Sequence, residues 1–408
     1  MSISRGKSIA KIILHVFSVL LFVFATSYAL LAAYGYQIDL LHKNIFKTSI
    51  VDLVGTYNDI HVYMDSEEVS DRIPYQIKNI KPGTYTINID SEKFNNWKRT
   101  VSVVEDLVTI INDIYLVPKD LKIKTVFDEF DFIYDDMVFN GKTIVFVNKE
   151  KGLLHEFNID GGIEEEIKTT TLLNKIQYEK VYSAGDKYIV FDGGKEGDHE
   201  VNLLDLSSDT LTKIIVPDEF VDFNIGYNFG IKGFYLNGGS LFSVDIDEQG
   251  IFKGITLLTE LSAVNDIEVY SDGGLIFIKT EEGLYEYRDS LLALIDSDIY
   301  LGPYVSPYGD KAVYVLDGGE IYTYSFESKE SFLIGRFVHK IDQIAWFFDG
   351  KHILLAQNGK LLFCDLTMEN CPVLNEEILL DNIFVSKTKP LILLITKEGF
   401  GKIDLSLI

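Results

Sequence analysis

The sequence predicts a mainly β protein: one N-terminal transmembrane helix, then a small β-sandwich, then a β-propeller of about seven blades. Three observations lead there. A single long uncharged apolar run stands near the N-terminus, and short alternating strands separated by turn residues follow it. From about residue 119 onward, a strand–turn–strand unit then recurs to the end. With 408 residues, 47% hydrophobic and 13% aromatic, the chain has ample material for packed cores, and proline is scarce at 8. Abundant Val, Ile, Phe and Tyr suit pleated, half-buried surfaces.

Residues 12–38 contain no Lys, Arg, Asp or Glu over 27 positions. At about 1.5 Å per residue, a helix of that length crosses a hydrocarbon core of about 30 Å. Arg5, Lys7 and Lys11 precede it, so the positive-inside rule places residues 1–11 in the cytoplasm and the rest outside, as a single-pass membrane protein. A cleaved signal peptide ending at Ser27-Tyr28-Ala29 is the alternative, but the apolar run is longer than a usual signal core. His15 lies within the run with no acidic neighbour and reads as a tolerated polar residue.

Residues 46–118 read as short strands and turns. Ile60–Met64 alternates, Asp65–Glu68 is a polar turn, Pro82-Gly83 a tight one, and Tyr85–Ile89 alternates again. Phe94 and Trp97 follow, then Thr100–Val104 and Val108–Ile111. Trp97 is expected in the core, with a surface-binding aromatic as the other reading.

This segment resembles the PEGA domain, a small β fold of bacterial and archaeal envelope proteins. Val62-Tyr-Met-Asp65, Pro74, Ile77, Ile80, Pro82-Gly83, Tyr85, Ile87, Ile89, Phe94, Trp97 and Val101/Val103 carry the resemblance. The Pro-Glu-Gly-Ala tetrapeptide is replaced by Tyr57-Asn-Asp-Ile60, and Lys93 stands where a glycine is usual. The resemblance implies attachment or interaction and brings no catalytic residue.

Residues 119–408 hold the repeat. Apolar strands beginning at Thr143, Tyr188, Phe234, Leu275, Ala312, His352 and Leu391 lie 37 to 46 residues apart, near the length of a four-stranded blade. Each is followed by a turn and a more alternating strand. The apolar strand is expected on the inside, the alternating one further out. The chain ends before a last fourth strand, while Leu121–Phe127 belongs to no repeat, so that segment is expected to complete the C-terminal blade. Val305-Ser-Pro-Tyr-Gly309 and Ala345-Trp-Phe-Phe-Asp-Gly350 resemble the turns that open blades of TolB-type and WD-type propellers.

The formal charge of −25 disfavours contact with nucleic acid. Asp245–Gly250 lacks the remaining oxygen ligands of a calcium loop. The seven histidines show no metal spacing, and no Walker loop, nucleophile elbow or dinucleotide fingerprint occurs. Neither a metal nor a cofactor is therefore expected. Asp135 and Asp136 are adjacent, which places them on opposite strand faces. Cys364 and Cys371 are expected to pair across a strand–loop–strand in an oxidising compartment, with two free thiols as the alternative. Together these readings predict a non-catalytic, membrane-anchored scaffold or binding protein of the cell envelope, its partners an envelope protein or a cell-surface glycan. A propeller-based glycan-active or hydrolytic enzyme is the competing expectation, because carboxylates from separate blades can converge without any sequence spacing to betray them.

Overall fold

A computed structural model describes residues 3–39, 44–127, 136–140, 142–159, 168–170, 178–193, 199–260, 266–272, 274–376, 380–396 and 399–405. Asp135 and His42 lie outside them. The chain divides into two compact units, Met1–Lys119 and Asp120–Ile408.

The first unit opens with helix α1 (Ile3–Ala33). Its stretch Leu14–Ala33 is 20 residues long and none of it is buried in the protein; at about 1.5 Å per residue it spans about 30 Å. The helix stops short of Ile38. Gly35 caps it at φ +80°, a conformation that costs glycine nothing, and its N–H donates to Ala32 O at 3.1 Å. The chain then turns into a hairpin, β1 (Tyr36–Asp39) with β2 (Asn44–Lys47).

Five further strands follow: β3 (Ser49–Met64), β4 (Glu67–Ile80), β5 (Gly83–Asp90), β6 (Trp97–Val103) and β7 (Val108–Ile111). They join in one sheet ordered β4-β3-β5-β6, with β7 alongside β3 in parallel. Register breaks along β3 at Leu53/Tyr57 and Asn58/Val62 interrupt its pairing with β4. The sheet packs around one core that includes Val51, Leu53, Ile60, Val62, Ile73, Ile87, Ile89 and Trp97.

The second unit is a seven-bladed propeller. Among the described residues there are seven four-stranded antiparallel sheets. Their innermost strands are Asp136–Phe139, Lys180–Ala184, Val221–Tyr227, Ile267–Asp272, Ile299–Val305, Gln343–Trp346 and Leu380–Val385. One expectation needs correction here: the wholly apolar strands are second in each blade, not innermost. Thr143–Asn148, for instance, sits between Asp136–Phe139 and Leu153–Asn158. A second strand is covered by neighbouring blades on both faces, whereas an innermost strand has one edge on the channel, so its residues are mixed.

The ring closes with a strand from the other end of the unit. β8 (Lys124–Phe127) is the outermost strand of the seventh blade, pairing Phe400↔Phe127, Gly401↔Thr125 and Lys402↔Lys124. The first and seventh blades meet through one cluster containing Ile144, Phe146, Phe384, Leu393 and Phe400. Within it the rings of Phe146 and Phe400 lie 5.4 Å apart, edge to face.

Candidate ligand site in the propeller channel

Innermost strands diverge from one another, so their channel-facing N–H and C=O groups have no strand to pair with. Side chains one blade away take over that role. Ile225 N–H donates to Tyr182 Oη at 2.9 Å, and Tyr227 N–H to Ser271 Oγ at 3.0 Å. Asn140 Nδ2 donates to Asp186 O at 3.0 Å, and Trp346 Nε1 to Tyr304 O at 2.8 Å. Gly226 makes the approach possible, since a Cβ there would stand 2.9 Å from Ser271 Oγ.

These contacts frame a cavity of about 490 Å³ lined by innermost strands of all seven blades. Tyr182, Tyr270, Tyr304, Trp346 and Phe384 supply aromatic wall, and Asn140, Lys180, Asn224, Glu268, Gln343 and Asn382 supply polar groups. Such a mixture, mostly apolar with a few placed polar groups, is what small-molecule and cofactor sites present. Glu268 is held by Tyr270 Oη at 2.6 Å and by Lys279 Nζ at 3.5 Å. Lys180 Nζ donates to Asn224 Oδ1 at 3.4 Å. Lys387 of the seventh blade reaches Asp272 of the fourth, 2.5 Å apart, so an ion pair joins two non-adjacent blades.

Asp222 has the most perturbed carboxyl in this region. It sits in a bulge at φ +50°, where a short polar side chain is tolerated, and its Oδ2 accepts the Ile267 N–H. Burial pushes its pKa up to about 6, the Ile267 N–H opposes that, and neighbouring Asp266 adds to the rise.

Of the segments singled out in the sequence, the two blade-opening turns reach the cavity through Val305, Pro307, Ala345 and Trp346, whereas the cysteines and Trp97 lie elsewhere. Cys364 and Cys371 are joined as a disulfide, their Cα atoms 4.2 Å apart, on the sixth blade. Trp97 is not a surface aromatic. It is 3% exposed in the core of the first unit, with the Arg99 guanidinium 5.1 Å from its ring and Arg99 in turn bound to Asp113 at 2.5 Å. Among the described residues no group of three or more His, Cys, Asp or Glu side chains is arranged to hold a metal ion. The other channel residues escaped notice in the sequence because they lie on the mixed innermost strands. The signal was there in the spacing: the partners Asn140/Asp186, Tyr182/Ile225, Tyr227/Ser271 and Tyr304/Trp346 stand 42 to 46 positions apart, one blade each.

The first unit differs from its family pattern at two glycine positions, and the two replacements meet. Asp59 stands in the place of the tetrapeptide's glycine and has φ +57°. Lys93, in the other glycine's place, puts its Nζ 3.3 Å from Asp59 Oδ2. Both side chains are largely exposed, so the pair contributes little stability.

A match to one protein family falls within the first unit. Residues 57–114 match the PEGA domain, from the middle of β3 to just beyond β7. No curated protein matches the chain. Among solved structures, PorZ, an essential bacterial surface component of the type-IX secretion system of Porphyromonas gingivalis, is similar at 11% identity and a TM-score of 0.42. That match covers 67% of this chain and 37% of PorZ, so the chain spans little more than a third of that protein's length. The Cps50 (Swd1) β-propeller domain of Myceliophteria thermophila is similar at 11% identity and a TM-score of 0.44, covering 66% of this chain and 96% of that domain. The chain thus joins an N-terminal apolar helix and a PEGA domain to a seven-bladed β-propeller.

Proposed function

We propose that this chain is a non-catalytic, membrane-anchored protein of the cell envelope, exposing its PEGA domain and propeller outside the membrane to bind a glycan or a protein. The observation that carries the binding role is the channel: one cavity to which all seven blades contribute, with aromatic faces beside amide and carboxylate groups. Aromatic faces stack on the apolar faces of sugar rings or on apolar peptide side chains, and amides satisfy hydroxyls or backbone groups. Anchoring is supported by the uncovered 20-residue apolar stretch of α1, and orientation by the basic residues that precede it. The disulfide supports an oxidising compartment.

The test is binding of cell-wall glycan fragments and of a peptide library to the full chain in nanodiscs. Tyr304→Ala, at a cavity-lining side chain 41% exposed, should weaken binding about tenfold, as loss of an aromatic anchor does. Leu211→Ala, on an outer strand, should change nothing. Equal binding by both variants would remove the channel from the proposal.

A further inference from the structure

The end of the PEGA-containing unit nearest α1 carries apolar side chains that the fold leaves uncovered. Val104 is 52% exposed, Leu107 56%, Val108 53% and Ile110 60%. Leu107 immediately precedes the edge strand β7 and Val108 opens it; the register Ile50↔Val108 and Asp52↔Ile110 puts Val108 and Ile110 on the outward face while Ile111 enters the core. These residues are tied closely to the end of the apolar helix. Thr48 N–H donates to Gly35 O at 2.8 Å, and Ile50 N–H to Leu107 O at 3.2 Å. Between them, Ser49 Oγ donates to Val104 O at 2.6 Å. The 104–107 turn is therefore held one or two residues from the point where α1 ends.

Charges at this end are arranged consistently with a lipid surface. The turn's two acids are both engaged: Asp106 by Lys47 Nζ at 2.6 Å, and Glu105 by the Lys47 N–H at 2.8 Å. Lys81 lies over the Phe46 ring at 5.4 Å, and Tyr34 is 72% exposed just past the helix. Exposed apolar groups flanked by Tyr, Phe and Lys are the composition of a membrane–water interface.

We propose that this end of the unit docks on the bilayer that α1 crosses, the 104–107 turn and the start of β7 lying in the headgroup layer. The inference rests on the reading of α1 as a retained membrane anchor. The Gly35 carbonyl, two residues past the end of α1, is bonded to Thr48, so a helix in lipid brings the turn to the interface without any further partner. Amphipathic segments at such a surface bury their apolar side by roughly 5–10 Å. Docking in this way would restrict how the unit tilts on its anchor and hold the strand edge of β7 away from other chains.

The experiment uses the full chain in liposomes of phosphatidylcholine with phosphatidylglycerol, with one added cysteine per variant labelled by an environment-sensitive fluorophore while Cys364 and Cys371 stay joined as a disulfide. Phe22→Cys reports α1, Leu107→Cys the turn, and Ser66→Cys the exposed β3–β4 turn, sixteen residues of β3 away; Val104→Cys replaces Leu107→Cys should the latter fail to fold. Shallow nitroxide lipids should quench the label at 107 at least about twofold more than at 66, and deep nitroxides should quench it at 22. Quenching at 22 with equal, weak quenching at 107 and 66 would overturn the docking while leaving the anchor intact. A blue-shifted label at 107 that nitroxide lipids do not quench would show protein covering this surface and would also overturn it. Absence of quenching at 22 would instead refute the anchor, and the docking with it.

Discussion

At the base of the PEGA-containing unit, β7 pairs with β3 and turns Val108 and Ile110 outward. In the propeller, the seventh blade would end on the strand Gly399–Asp404, and β8 covers that edge from nearly three hundred residues upstream. The same problem, a strand with unpaired backbone groups, receives two different treatments. The propeller is a ring, and a ring has no use for an open sheet, so it recruits a distant strand. The first unit has an end beside the apolar helix, and under the docking proposed above lipid would cover its apolar edge. An edge is thus a liability or a surface according to what lies beside it.

The largest effect should come from removing the ring's closure. Replacing residues 121–127 with a Gly/Ser linker strips the seventh blade of its outer strand and loosens the cluster joining Phe384, Leu393 and Phe400 to Ile144 and Phe146. Amide exchange should show protection lost first across 380–404, while β3–β6 keep theirs. Unchanged protection in 380–404 would mean that the seventh blade is stable as three strands and that closure is ornamental.

The converse variant acts on the other region. Trp97→Ala empties a core position that is 3% exposed and removes the ring beneath Arg99. Large-to-small changes of this kind cost about 3–5 kcal/mol, so thermal scans should move the transition of the first unit and leave the propeller's in place. A shift of both transitions together would show the two units to be energetically coupled.

The disulfide comes next. Cys364 and Cys371 close a loop of separation 7 on the sixth blade, for which chain entropy gives about 2–3 kcal/mol. Replacing both by Ser should lower the propeller's stability by about that amount under oxidising conditions. In the parent, a reductant should reproduce the loss. No difference between variant and parent would show that strand pairing in the sixth blade already fixes this loop.

What the sequence disclosed follows the same physical division. The apolar second strands, such as Tyr188–Asp192 and His352–Gln357, are covered on both faces and so appear as unbroken hydrophobic runs. They gave the repeat and its length, and the unassigned Leu121–Phe127 gave the closure. The innermost strands were hidden for a reason equally physical. Val221–Tyr227 contains Asp222, Asn224, Gly226 and a bulge, and Ile299–Val305 contains Gly302-Pro303. By composition both look like loops, because their residues serve the channel and neighbouring blades. The site was therefore least legible where it is most chemically particular. In the first unit, alternation revealed the strands, but only the structure shows Asp59 and Lys93 occupying two glycine positions as a pair.

The smallest effect, and the finest test of that division, concerns Asp222. Its folded-state pKa is pushed up to about 6 by burial and by Asp266, above the ~3.9 of an unfolded chain. Between about pH 4 and 6 the folded protein thus retains a proton that the unfolded chain has released, and its stability falls as pH rises through this window. At pH 7 an ionised Asp222 beside Asp266 destabilises the contact between the third and fourth blades. Asp222→Asn keeps an oxygen to accept the Ile267 N–H but carries no charge. It should therefore be more stable than the parent at pH 7 by about 1 kcal/mol, a figure discounted for partial solvent screening. The advantage should shrink to nothing near pH 4, with Val221–Tyr227 reporting it by amide exchange and β3–β6 indifferent at every pH. A gap between variant and parent that stays constant with pH would mean that the amide, and not the lost charge, is responsible, and that burial against the fourth blade does not set this proton's affinity.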